Sequence, residues 1–234
     1  HFGNRVAWLT LEESHTRFDV ELRAEIEVDP FTPPDPAATP AWEDIRDALA
    51  GDGFPDAVPE SEFVHESPFA QPSDEAIQFA LQSFTAGRPV LDAARDLAKR
   101  IFTDFRYDPA ATEIFTPVAA VMQKRAGVCQ DFAHLQIAML RGLGLAARYV
   151  SGYIRTLKAG DAPDTGLRGA DASHAWLSVW CGPDHGWIDL DPTNNLICSD
   201  EHVVAAIGRD YGDISPVRGV VLGGGPHRIG VAVE

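Results

Sequence analysis

Between residues 128 and 191 the period of the apolar pattern changes once, and that change restricts the chain to few architectures. Residues 128–143 carry apolar side chains nearly all round a helix, with Val128, Phe132, Leu135 and Met139 on one side and Ala133, Ile137 and Leu140 on another. A helix of that kind is buried on every side. Gly142 and Gly144 end it, and alternation of period two follows in Ala147–Ile154, His174–Trp180 and Gly186–Leu190. His174, Trp176, Ser178 and Trp180 share one face opposite Ala175, Leu177 and Val179, while Trp187, Asp189 and Asp191 share a face opposite Ile188 and Leu190. The short Gly182–Gly186 segment joins these last two strands as a hairpin. Helices followed by strands define an α+β domain.

Upstream, helical spacing predicts helices around 40–50, 73–84 and 89–105, the last on Leu91, Ala94, Leu97, Ile101 and Phe105. Thr116 and Pro117 suit the N-cap and first position of another, with Gly127 as its end. Residues 1–28 read as a β-hairpin, because Phe18, Val20, Leu22, Ala24, Ile26 and Val28 alternate with charged residues after a turn near Glu13–His15. Asp29–Pro40 holds five prolines in twelve residues and reads as a linker. Two more strands are predicted at Val217–Leu222 and Arg228–Val233, and Thr156–Asp171 reads as a surface loop leading into His174. The expected organisation is a partial N-terminal β-domain over 1–30, a Pro-rich linker with a short helix over 31–72, and a catalytic core over 73–234.

Charge and cysteine content narrow the function classes. The 234 residues include 19 basic and 35 acidic ones, a formal net charge of −16 that repels nucleic acid and anionic membrane surfaces. No apolar run reaches the roughly 18 to 20 residues that a membrane span needs. Three cysteines, at 129, 181 and 198, cannot all pair and contain no CxxC, so reduced thiols and a cytoplasmic setting are expected. The first residue is His1, so a trimmed N-terminus with a signal peptide ahead of it is compatible with this reading. The same three cysteines have the wrong spacing for a compact zinc motif, and neither a metal nor a cofactor is expected.

Cys129 is the residue with the most chemical promise. It follows Gly127 by two positions at the start of the buried helix, where unpaired NH groups and the helix dipole favour a thiolate. A helix cysteine by itself is more often a small packing residue. His174 is a base on a strand face free of aliphatic residues, and the neighbouring strand supplies two carboxylates, Asp189 and Asp191, that spacing alone does not separate. A carboxylate that accepts a proton from the imidazole fixes its tautomer and orientation. For the oxyanion, the Cys129 backbone NH is the natural first donor; Gln123 and Gln130 are side-chain candidates, and Trp176, on the His174 face, is a substrate-contact candidate. Asp131 fits a first-turn helix acid and His134 a structural role.

Three blocks, Gly127-Val128-Cys129-Gln130-Asp131-Phe132-Ala133-His134, His174-Ala175-Trp176 and Gly186-Trp187-Ile188-Asp189-Leu190-Asp191-Pro192-Thr193-Asn194, resemble the core motifs of bacterial transglutaminase-like cysteine proteases. His1-Phe2-Gly3-Asn4-Arg5, Gly208-Arg209-Asp210-Tyr211 and Ser215-Pro216-Val217-Arg218-Gly219 extend the similarity over nearly the whole chain. The resemblance implies a papain-like fold with a central nucleophile helix packed on an antiparallel sheet. It also implies Cys129 as nucleophile, His174 as general base and acid, and Asp191, in preference to Asp189, as the orienting carboxylate. The implied activity is cysteine-dependent amide hydrolysis of a peptide or protein. Acyl transfer to amines and a non-catalytic peptide-binding module are the alternatives. Oligomeric state is not readable from the sequence.

Overall fold

The computed structural model describes residues 2–29, 31–51, 58–155, 167–168, 173–223, 225, 230 and 232. Its centre is the helix foreseen from the apolar pattern, one of a series that runs α1 (Trp42–Ala50), α2 (Val58–Ser61), α3 (Asp74–Leu81), α4 (Val90–Asp104), α5 (Val118–Lys124), α6 (Cys129–Gly142) and α7 (Tyr211–Ile214). Along α6, Phe132, Leu135, Ile137, Met139 and Leu140 are all buried. Its polar residues are buried too and find partners, as burial requires. Gln136 donates to the Ala94 carbonyl at 2.8 Å, and the Arg141 guanidinium donates to the carbonyls of Phe63, Ala147 and Arg209 and to the Ser67 hydroxyl.

Two short strands, β1 (Arg106–Tyr107) and β2 (Ala126–Gly127), pair in parallel. The main sheet contains β3 (Ala147–Ile154), β4 (His174–Trp180), β5 (Trp187–Asp191), β6 (Leu196–Ile197) and β7 (His202–Gly208), in the order β6-β5-β4-β3-β7 with every pair antiparallel. Ala175, Leu177 and Val179 of β4 and Ile188 and Leu190 of β5 join the main core together with α3, α4 and α6. Trp176, Val150 and Cys198 form a smaller cluster apart from it. The predicted alternation in β4 therefore has a physical counterpart in two separate apolar clusters.

Several expectations change. The described residues of 2–29 contain no strand, and Val6, Trp8, Leu22 and Ile26 are exposed. Alternation makes a strand only when a partner strand and an apolar surface are there to receive it. The same reason removes the strand expected at 217–222, where Val217, Val220, Val221 and Leu222 are exposed. The strand expected at 228–233 lies, except for 230 and 232, outside the described residues, as does Thr156–Asp171 except for 167–168. The last strand of the sheet is instead β7, which the sequence reading had passed over. The region 31–72 is more than a linker: Trp42, Ile45 and Ala70 belong to the main core.

The approach to α6 also differs from expectation. Pro117 is the N-cap of α5 rather than its first residue, and α5 ends at Lys124 with Arg125 in the left-handed region at φ 50°. That conformation costs a non-glycine residue about 1 kcal/mol. Cation–π contacts of the Arg125 guanidinium with Phe79 and Phe105, at 5.0 and 4.8 Å, oppose the cost. Gly127 lies in β2 and leads straight into α6.

Candidate active site

Cys129 is the first residue of α6, half-buried, with Val128 as the N-cap. Two features hold this start in place. The pairing of β1 with β2, extended by the Asp108 amide donating to the Gly127 carbonyl at 2.9 Å, fixes the segment that delivers the cysteine. Asp131 Oδ2 then accepts the Val128 amide at 2.8 Å and the Thr112 hydroxyl at 2.6 Å. Burial pushes the Asp131 carboxyl above its usual value, against these hydrogen bonds. A Cβ at position 127 would sit 2.7 Å from Asp131 Oδ2, so the capping acid can close over the backbone only because residue 127 is glycine.

His174 opens β4 and is almost wholly buried, as is Asp191 at the end of β5. Nε2 of His174 lies 2.8 Å from Asp191 Oδ2. Nδ1 is buried without a partner that meets hydrogen-bond geometry, while the Cys129 thiol is near enough to favour the protonated ring. Burial works against charge on His174, but the hydrogen bond and charge of Asp191, helped by the Cys129 thiol, outweigh it and raise the pKa to about 9. Burial alone would raise the Asp191 carboxyl. Its hydrogen bonds to His174, His202 and Asn194 instead hold it well below the usual carboxylate range.

Asp191 performs two jobs with its two oxygens. Oδ1 accepts the backbone amides of Thr193 and Asn194, at 2.9 and 3.2 Å, forming the turn that an Asp before Pro favours. Oδ2 accepts His174, the Asn194 side-chain amide at 2.7 Å and His202 Nε2 at 3.1 Å. Asp189 faces elsewhere: it accepts the Trp176 indole NH at 2.8 Å and the Ser178 hydroxyl. The two carboxylates that spacing could not separate are thus separated by their partners.

The remaining expected residues have varied placements. Trp176, expected as a substrate contact, is fully buried with its NH engaged by Asp189. Gln130 donates to the Ile114 carbonyl at 3.0 Å and so holds the preceding loop, and Gln123 is exposed on α5. His134 is structural: Nε2 accepts the Tyr211 amide, the ring stacks on Tyr149 at 4.7 Å, and burial depresses its pKa to about 3. Cys181 and Cys198 are buried thiols in different apolar clusters, so the three cysteines do not converge.

Among the described residues, His174, Asp191 and His202 are close enough to be considered as metal ligands. Their arrangement is that of a hydrogen-bond hub, because Asp191 Oδ2 already faces three nitrogens and has no lone pair left for a cation. His202 and Asn194 were not singled out from the sequence. Asn194 stood only as a member of a motif block, and His202 lies in a strand that was not foreseen.

The family model of the transglutaminase-like superfamily matches residues 78–192, which contain the first two blocks and the third as far as Pro192. The chain belongs to the transglutaminase-like superfamily. It is 39% identical over 229 residues to an uncharacterised protein of Mycobacterium tuberculosis strain ATCC 25618 / H37Rv, covering 94% of this chain and 70% of that one. A protein-glutamine gamma-glutamyltransferase of Pseudomonas aeruginosa is 29% identical over 108 residues, 42% of this chain and 15% of its own. Among solved structures, a "putative cysteine protease" from Cytophaga hutchinsonii is similar with a TM-score of 0.54 and 30% identity, over 67% of this chain and 49% of that one. The match thus spans about half the length of that protein. The mixed helix and antiparallel-sheet architecture agrees with this fold. No helix among the described residues is long and apolar enough to cross a membrane.

Proposed function

We propose that the protein is a cysteine-dependent amide hydrolase, a peptidase or amidase, working through an acyl-enzyme thioester on Cys129, His174 and Asp191. The observation that carries this reading is the state of one imidazole: Nε2 is held by Asp191 at 2.8 Å, Nδ1 is left without a hydrogen-bond partner, and the Cys129 thiol favours the protonated form of the ring. Sγ, as thiolate, adds to the substrate carbonyl carbon. The resulting oxyanion meets the Cys129 backbone NH and the positive end of α6. The carbon–nitrogen bond breaks as Nδ1 of His174 gives its proton to the departing amine. Water then attacks the thioester, losing a proton to Nδ1, and the carbon–sulfur bond breaks to release acid and thiolate. Asp191 stays ionised throughout and keeps Nε2 protonated.

A second reading, transfer of the acyl group to an amine in place of water, is favoured by the name of the Pseudomonas aeruginosa relative. Both readings share the thioester and part only at its resolution. Mass spectrometry of a peptide library incubated with the protein, with and without an added primary amine, separates them. Cleavage supports hydrolysis, amine incorporation supports transfer, and an unchanged library with both conditions points to a binding module.

A further inference from the structure

Asp191 Oδ2 faces more donors than orienting one imidazole requires. Besides His174, it receives Nε2 of His202 at 3.1 Å, and the two imidazole rings flank it with centroids 6.1 Å apart. His202 is the first residue of β7, which pairs with β3 and not with β5. Its position is therefore set by the pairing with β3 as well as by the Ser199 carbonyl, which accepts the His202 amide at 3.1 Å. The side chain is only 3% exposed, and the ring meets Trp176 edge to face at 5.1 Å and 79°. Trp176 is itself anchored by Asp189. The contact between β3 and β7 is tight here: Gly152, beside a register shift, has the Val203 carbonyl where a Cβ would be. Nothing larger than glycine at 152 lets β7 bring its first residue this near.

Resting on the reading of His174 as the base, we propose that His202 is a positioning residue that donates Nε2–H to Asp191, fixes the direction of the carboxylate and limits the share of its charge that acts on His174. An oxygen that already accepts one hydrogen bond is a weaker acceptor for the next imidazole. Removing the His202 donor therefore leaves more charge for the His174 imidazolium while loosening the aim of the carboxylate. The titratable groups facing His174 are Cys129 from α6 and Asp191 from β5, with His202 from β7 and the Cys198 thiol also acting on or near Asp191.

The test uses the intact chain and needs no substrate: the rate of Cys129 alkylation by iodoacetamide from pH 5 to 10, read by peptide mass spectrometry, in His202→Phe, His202→Gln and His174→Gln. For His202→Phe the expected result is a roughly tenfold slower rate at neutral pH and a limb assigned to His174 moved to higher pH. His202→Gln, which keeps an amide donor, should return both toward the parent. If His202→Phe leaves the limb in place, whether or not rate or melting temperature falls, the positioning role is overturned and His202 is packing. His174→Gln separates the two failures. Loss of the pH-dependent rate there, with no effect of His202→Phe, sinks only the present inference, whereas a parental profile sinks the reading of His174 as well.

Discussion

Asp189 and Asp191 leave the same strand two residues apart, yet Asp189 binds Trp176 and Ser178 while Asp191 binds His174 and His202. Asp191→Asn should therefore lower amide cleavage by about 10²- to 10⁴-fold, since a neutral amide neither fixes the imidazole tautomer nor stabilises imidazolium. Asp189→Asn should cost less than about tenfold, acting through the packing of Trp176. Steady-state kinetics on one cleaved peptide ranks the two, and the reverse ranking would overturn the assignment.

Thiol reactivity should be unequal. Cys129 is half-buried at a helix start, while Cys181 is buried with its pKa pushed up to about 12 and Cys198 is buried with its pKa also well above the ordinary value. Iodoacetamide near neutral pH should label Cys129 at least about 100-fold faster than the other two. Equal labelling of all three in the folded protein counts against an activated nucleophile.

The raised pKa of His174 gives a pH dependence with a defined sign. The folded value is about 9 against an ordinary 6.5, so the folded state binds the proton more tightly. The corresponding stability is present in full below about pH 6.5 and is lost as pH rises through about 9. Urea midpoints of the parent should fall between pH 6 and 9.5 by more than those of His174→Gln. Cleavage should decline over the same upper range, because the departing amine loses its proton donor. A parent and variant with parallel pH curves would refute this.

Gly127→Ala places a Cβ against Asp131 and should loosen the start of α6. The expected loss is about 1–3 kcal/mol, measured by denaturant titration, together with slower Cys129 alkylation. A variant with parental stability and labelling would show that Asp131 can retreat at no cost.

Much of the core was legible before any coordinates. The apolar girdle of α6 and the hairpin of β4 and β5 follow from periods of 3.6 and 2 and from turn chemistry, which are local properties of the chain, whereas the preference for Asp191 over Asp189 came only with the family resemblance. Residues 2–29 and 217–222 carry comparable apolar signals but no strand, because strand formation depends on a partner that local pattern does not reveal. The terminal capping of α5 was misread for a related reason: Arg125 occupies the left-handed position with help from Phe79 and Phe105, both distant in sequence.

By itself, the sequence determined which residue types sit at the start of the central helix and on one face of two consecutive strands, since helix and strand periods decide that within a few residues. Only the tertiary structure decided which oxygen meets which nitrogen. Asp189 and Asp191 are equivalent in pattern and become different because Trp176 and Ser178 reach one and His174 the other. His202 enters the same site from β7, on the far side of β3 from β4, through a close approach at Gly152. Hydrogen bonds act over about 3 Å, and separations on that scale between residues distant in sequence are set by packing.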